Sequence, residues 1–137
     1  MSFELSSLAL NFDAELHLVH PVTESPLYAK PDPKGDPEGK PVKILMHGTA
    51  SPQYRKSVDV LMKKNAKRGN KSATPDEIRE SSVEFLVALA VKAENLMLDG
   101  EPLDNKEAFR KLFSDERYSW VKSQCDSFLG NTENFIK

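Results

Sequence analysis

Cysteine occurs once, at Cys125, so no disulfide can close within the chain, which fits a reducing compartment. No apolar run approaches the ~20 residues that a membrane span needs. The longest, Phe85-Leu86-Val87-Ala88-Leu89-Ala90-Val91, is closed off by Glu84 and Lys92. Met1-Ser2-Phe3-Glu4-Leu5 has no basic segment followed by an apolar one, so no export leader is expected, and the acceptor pattern Asn70-Lys71-Ser72 is read as chance. Glycine is sparse, at six residues, and Gly35 and Gly39 lack the strand-loop-helix setting of a phosphate cradle. No G-x-S-x-G or Walker spacing occurs, and Asp36 and Glu38 fall in a loop too loose to hold acid–base geometry. His17 and His20, in a strand pattern, point to opposite faces and cannot share a metal ion, and no carboxylate spacing helps His47 to complete a site. Cys125 has neither a CxxC partner nor a helix N-terminus to activate it, and reads as a core residue. No catalytic, cofactor or metal site is expected.

A charge excess is also lacking, since the net charge is only −2. That balance conceals a division. Residues 1–50 hold four Lys or Arg against seven Asp or Glu, residues 51–72 hold seven against one, and residues 73–137 hold eight against thirteen. One basic block sits between two acidic parts, which suggests attraction between segments or to a partner rather than an obligate polyanion ligand. At 137 residues, 39% apolar and 29% charged, the chain fits one globular domain over 1–137.

The clearest element is the stretch from Thr74 to Gly100, which reads as a central helix. Thr74 is suited to the N-cap, Pro75 to the first helical position and Glu77 to the third place of a capping box, while Gly100 offers a stop. Its middle, Phe85 to Val91, is apolar on every side and therefore wants contacts on two faces. Ile78, Phe85, Leu89, Leu96 and Met97 are expected to extend one of them.

Residues 1–50 read as the β-rich part. Leu8 to Phe12 and Ala14 to Val19 alternate with the period of a half-buried strand, Pro26 to Ala29 forms a short second one, and Val42 to His47 a third, closed by Gly48. Lys30 to Pro41 between them is too rich in Pro and Gly for regular structure and is expected to be a mobile loop. Residues 51–137 read as the helical part. Ser51-Pro52 opens a helix with Tyr54, Val58, Leu61 and Met62 on one face, ended by Gly69-Asn70. Asp104 and Glu107 start a short helix with Ala108, Leu112 and Phe113. Ser114 caps a last one, whose stripe is Tyr118, Val121, Cys125 and Phe128, widened by Trp120 and Leu129, with Gly130-Asn131 as its stop. Strands first and helices afterwards give an α+β fold: a small N-terminal antiparallel sheet followed by about four helices.

Two features suit a partner. The first helix carries Lys63, Lys64 and Lys67 outward, a solvated face or a patch for an acidic subunit; it lacks the base-reading or base-stacking residues of a nucleic-acid site. The aromatic end, Trp120, Phe128, Phe135 and Ile136, either closes the core or forms a contact surface. Self-association through the helical part is expected from the all-round apolar segment.

Three segments carry a family resemblance. Leu16-His17-Leu18-Val19-His20-Pro21-Val22-Thr23-Glu24-Ser25-Pro26-Leu27, then Gly48-Thr49-Ala50-Ser51-Pro52-Gln53-Tyr54-Arg55, and the end from Trp120 to Phe135 resemble the tail assembly chaperones of long-tailed, lambda-like siphophages. The glycine of that family's first turn is replaced here by Glu24 or Ser25. The resemblance implies a non-enzymatic factor of the host cytoplasm, absent from finished virions. It would bind the helical tape measure protein, keep it soluble and help recruit tail tube subunits, with this chain as the shorter form beside a frameshifted longer one. The alternatives are a structural tail or head–tail joining protein and, more distantly, a nucleic-acid-binding module built on the basic helix 51–68.

Overall fold

The computed structural model describes residues 2–29, 40–69 and 71–136. Strands β1 (Asp13–His17), β2 (Tyr28–Ala29), β3 (Lys40–Pro41) and β4 (Lys43–His47) precede helices α1 (Pro52–Arg68) and α2 (Pro75–Leu89). Strands β5 (Ala90–Glu94), β6 (Met97–Leu98) and β7 (Glu101–Pro102) and helices α3 (Lys106–Ser114) and α4 (Ser119–Gly130) complete the order. The fold is α+β, with an antiparallel sheet in the order β1-β4-β5 and four α-helices among the described residues.

The alternation of Val42 to His47 places Ile44 and Met46 in the core and leaves Lys43 and His47 on the outer face, where Lys43 meets Glu15 at 3.2 Å and His47 meets Asp13 at 2.6 Å. The expected strand from Leu8 to Phe12 does not form. Leu5–Leu8 is a 3₁₀ turn, Leu8 and Phe12 are exposed, and Leu10 makes one isolated bridge to Ile136. The expected mobile loop falls mostly on residues 30–39, which lie outside the described residues, as does Asn70 of the expected α1 stop. Lys40–Pro41, placed at that loop's end, is instead β3, paired with β2.

Both helix starts, a cap followed by proline, are as read. Ser51 accepts the Tyr54 N–H at 3.2 Å while its own hydroxyl donates to the Gly48 carbonyl at 2.6 Å. Thr74 accepts the Glu77 N–H at 3.2 Å, and Glu77 reaches back to the Thr74 hydroxyl. Gly69 ends α1 at φ +64°.

The central helix is shorter than the pattern predicts. It stops at Leu89, and Ala90–Glu94 becomes the third strand of the sheet. Two interactions offset the lost helical bonds. β5 pairs with β4, Ile44 facing Ala93 and Met46 facing Ala90 across a bulge that takes up Val91. Lys106 Nζ donates to the carbonyls of Val87 at 2.8 Å, Ala88 at 3.3 Å and Ala90 at 2.8 Å, groups that a continuing helix would have bonded to its own N–H groups. Gly100 does adopt a positive φ, +85°, but as the second residue of an Asp99-Gly100 hairpin turn between β6 and β7, with Asp99 at +51°. Ile78 and Met97, expected on the buried face, are exposed.

The short helix is capped one residue later than read, by Asn105, whose side chain accepts the Ala108 N–H at 2.9 Å. Ser114 is the last residue of α3 rather than a cap. Asp115 takes that role for the 3₁₀ turn Glu116–Tyr118, since its carboxylate binds both the Arg117 N–H and the Arg117 guanidinium. One core joins Leu16, Leu18, Ile44 and Met46 of the β-rich part to Leu86 and Leu89 of α2, Phe109, Leu112 and Phe113 of α3, and Val121, Cys125 and Phe128 of α4.

Candidate partner-binding site

Helix α1 meets that core mainly through Tyr54. Among its residues only Ser57 is buried, and it packs chiefly on α2, with the Tyr54 ring edge-on to Phe85 at 5.4 Å. Tyr54, Val58 and Leu61 are half-buried as the periodicity predicts, but Met62, assigned to the same face, is 64% exposed.

Two clefts flank the α1–α2 contact, of about 340 and 350 Å³, sharing Leu61, Ser81 and Phe85. The first also includes Val60, Ala88, Lys64 and Glu84, the second Ile78, Ala73, Arg68, Glu77 and Asp126. The apolar middle of α2 therefore has its two faces. Val83, Leu86, Val87 and Leu89 enter the core, while Phe85 and Ala88 reach the cleft. Opposite charges line the rim. Arg110 clamps Glu84 at 2.6 and 3.2 Å, and this hydrogen bonding holds the Glu84 carboxyl below its usual range, with a smaller pull from Lys64.

Of the residues singled out from the sequence, Lys63, Lys64 and Lys67 are exposed on α1, and Lys64 lines the first cleft. The aromatic end does not assemble into a surface. Phe135 is 1% exposed and packs its ring on Phe128 at 5.2 Å, and Phe128 is itself buried. Both serve the core because the 3₁₀ turn Thr132–Phe135 folds back, its Phe135 carbonyl accepting the Asn11 N–H at 2.7 Å. Trp120 is half-buried, and Ile136 is 39% exposed beside Leu10. Sequence reasoning missed Val60, an apolar residue off the buried stripe of an otherwise polar face, and gave Ile78 to the core face rather than to a cleft.

The histidines His17 and His20 have structural partners, and Gly35, Asp36, Glu38 and Gly39 lie outside the described residues. His17 Nε2 donates to the Leu27 carbonyl at 2.8 Å, and His20 Nδ1 accepts from the N–H groups of Val22 and Thr23 at 3.1 and 3.2 Å. Burial pushes the Cys125 thiol up to about 12. Among the described residues no helix is long and apolar enough to cross a membrane. No family model, curated protein or solved structure matches the chain.

Proposed function

We propose that the chain is a non-catalytic assembly chaperone that holds a helical client in the α1–α2 clefts. The client implied by the sequence resemblance is the tape measure protein of a long-tailed phage. One observation carries this reading: α1 adds little to the core, yet it and α2 together present Val60, Leu61, Ile78, Phe85 and Ala88 in two adjoining apolar clefts rimmed by charges of both signs. An amphipathic helix laid into such a groove buries its stripe reversibly, which is what a long helical protein needs before tail tube subunits surround it. Lys63, Lys64 and Lys67 then act as an electrostatic guide that raises the association rate. The reading carries with it action in the host cytoplasm, recruitment of tail tube protein, self-association of the chain and absence from the finished virion.

Co-expression with the tape measure protein tests it. The client should become soluble and co-purify with the chain, and Val60→Glu with Ala88→Glu should weaken capture by at least ~1–2 kcal/mol while helicity stays intact. Client that stays insoluble, or capture unchanged in the double variant, contradicts the reading. Presence of the chain in purified virions would favour a structural tail or head–tail joining protein, and salt-sensitive retention of duplex DNA a nucleic-acid binder.

A further inference from the structure

A second binding feature lies on the opposite side of the sheet from β5, and it does not depend on the function proposed above. Gly48 N–H donates to the Phe12 carbonyl and Leu18 N–H to the Val42 carbonyl at either end of the β1–β4 ladder, so even-numbered residues from 12 to 18 turn their backbone groups toward β4. Odd-numbered ones turn theirs to the outer edge of the sheet. At two of these positions that edge is already filled. The Asn11 N–H donates to the Phe135 carbonyl, and the Gln124 side-chain amide bonds both backbone groups of Val19, at 2.9 and 2.8 Å. Between them, Asp13, Glu15 and His17 have no backbone partner on that side among the described residues. Beneath this gap α4 overhangs a space of about 400 Å³ whose lining includes Leu16, Val19, Ser127, Phe128 and Asn131.

We propose that this window binds a short extended peptide as an added strand, antiparallel to β1. Six free backbone donors and acceptors at the two-residue repeat of a strand specify another extended backbone as their partner. The two fillers limit its length to about five residues, or ~17 Å. They also exclude a second copy of this chain. Two β1 strands set antiparallel about Glu15 would bring Val19 of one opposite Asn11 of the other, and Gln124 and Phe135 would then occupy the same place. A flexible tail or loop has no such flanks. Ligand side chains opposite Asp13 and Glu15 share their outer face, where the two carboxylates, 44% and 45% exposed, favour Lys or Arg. Alternate side chains point into the space beneath α4, which suits Thr or Val. The ligand is therefore an extended segment alternating basic and small β-branched residues.

The test uses the full chain and a blocked heptapeptide of sequence Lys-Thr-Lys-Val-Lys-Thr-Lys, followed by amide hydrogen exchange. Saturation should slow exchange at Asp13, Glu15 and His17 by at least about ten-fold, while Ala14 and Leu16, already bonded to β4, change little. The same peptide N-methylated at its internal amides should not protect them. Glu15→Pro removes an outward donor together with the Glu15 carboxylate and its ion pair to Lys43, leaves the backbone bonds to β4 in place, and should lower peptide binding by about ten-fold or more. Should that variant fail to fold, the methylated peptide on the parent chain still carries the test. The proposal is overturned by unchanged exchange at millimolar peptide or by equal protection from the methylated peptide. Protection that rises with protein concentration alone would equally overturn it, because the edge would then belong to a second copy.

Discussion

Phe135→Ala should destabilise the whole domain, although the residue lies only two positions from the last residue of the sequence. Its ring is 1% exposed, packs on Phe128, and covers Gly48 so closely that a Cβ there would lie 2.6 Å from Phe135 Cδ1. Truncating a buried Phe to Ala removes its burial and leaves a cavity, costing about 3–5 kcal/mol. For a domain of this size that lowers Tm by roughly 10–20 °C. Ile136→Ala, at a residue 39% exposed, should cost less than about 1 kcal/mol. Gly48→Ala gives an independent check. Alone it forces the Phe135 ring aside at about 1–3 kcal/mol, and in the Phe135→Ala background that cost should largely vanish, a coupling of at least about 1 kcal/mol. Urea denaturation of the parent and the four variants measures all of this. A Phe135→Ala cost under about 1 kcal/mol, or additive effects with Gly48→Ala, would refute the placement of the C-terminal segment in the core.

Lys106→Met should cost about 1–3 kcal/mol in chemical denaturation, since it strips a donor from the carbonyls of Val87, Ala88 and Ala90 where α2 gives way to β5. Arg110→Ala should remove a pH-dependent contribution. Glu84 sits below its ordinary pKa through its hydrogen bond to Arg110, so the stabilisation is present above the unfolded value and is lost as pH falls through the folded one. The stability gap between parent and variant should therefore close on acidification, and a constant gap would contradict the pairing. Glu24→Gly should stabilise the chain by up to about 1 kcal/mol, as judged by Tm, because Glu24 occupies the left-handed region at φ +59° that glycine enters without steric cost.

Features written in a few consecutive residues were legible. Ser51-Pro52 and Thr74-Pro75 each carry a cap and a preset φ, and the alternation from Val42 to His47 fixes which side chains enter the core. What failed depends on partners far along the chain. Val91 and Ala93 continue an apolar helical pattern locally, and only pairing with β4 and the reach of Lys106 make them a strand. Asp99-Gly100 was read as a helix stop because that helix was carried too far; without it, Asp-Gly is a hairpin signal. Whether Phe135 closes the core or forms a contact surface stays open in the sequence because it follows a helix stop, and nothing local shows that the chain folds back over Gly48. The candidate site was half legible. The cations of α1 stand out in the sequence, whereas the clefts arise from how α1 packs on α2, a tertiary fact.

Site-specific photo-crosslinking during phage tail assembly tests the central claim most directly. A benzoylphenylalanine residue is introduced by Val60→benzoylphenylalanine in the first cleft, and separately by Lys92→benzoylphenylalanine on the outer face of the sheet. The α1–α2 reading predicts a crosslink from position 60 to the tape measure protein and none from position 92. Crosslinks from position 60 only to other copies of this chain, only to nucleic acid, or no more often to the tape measure protein than from position 92 would contradict it.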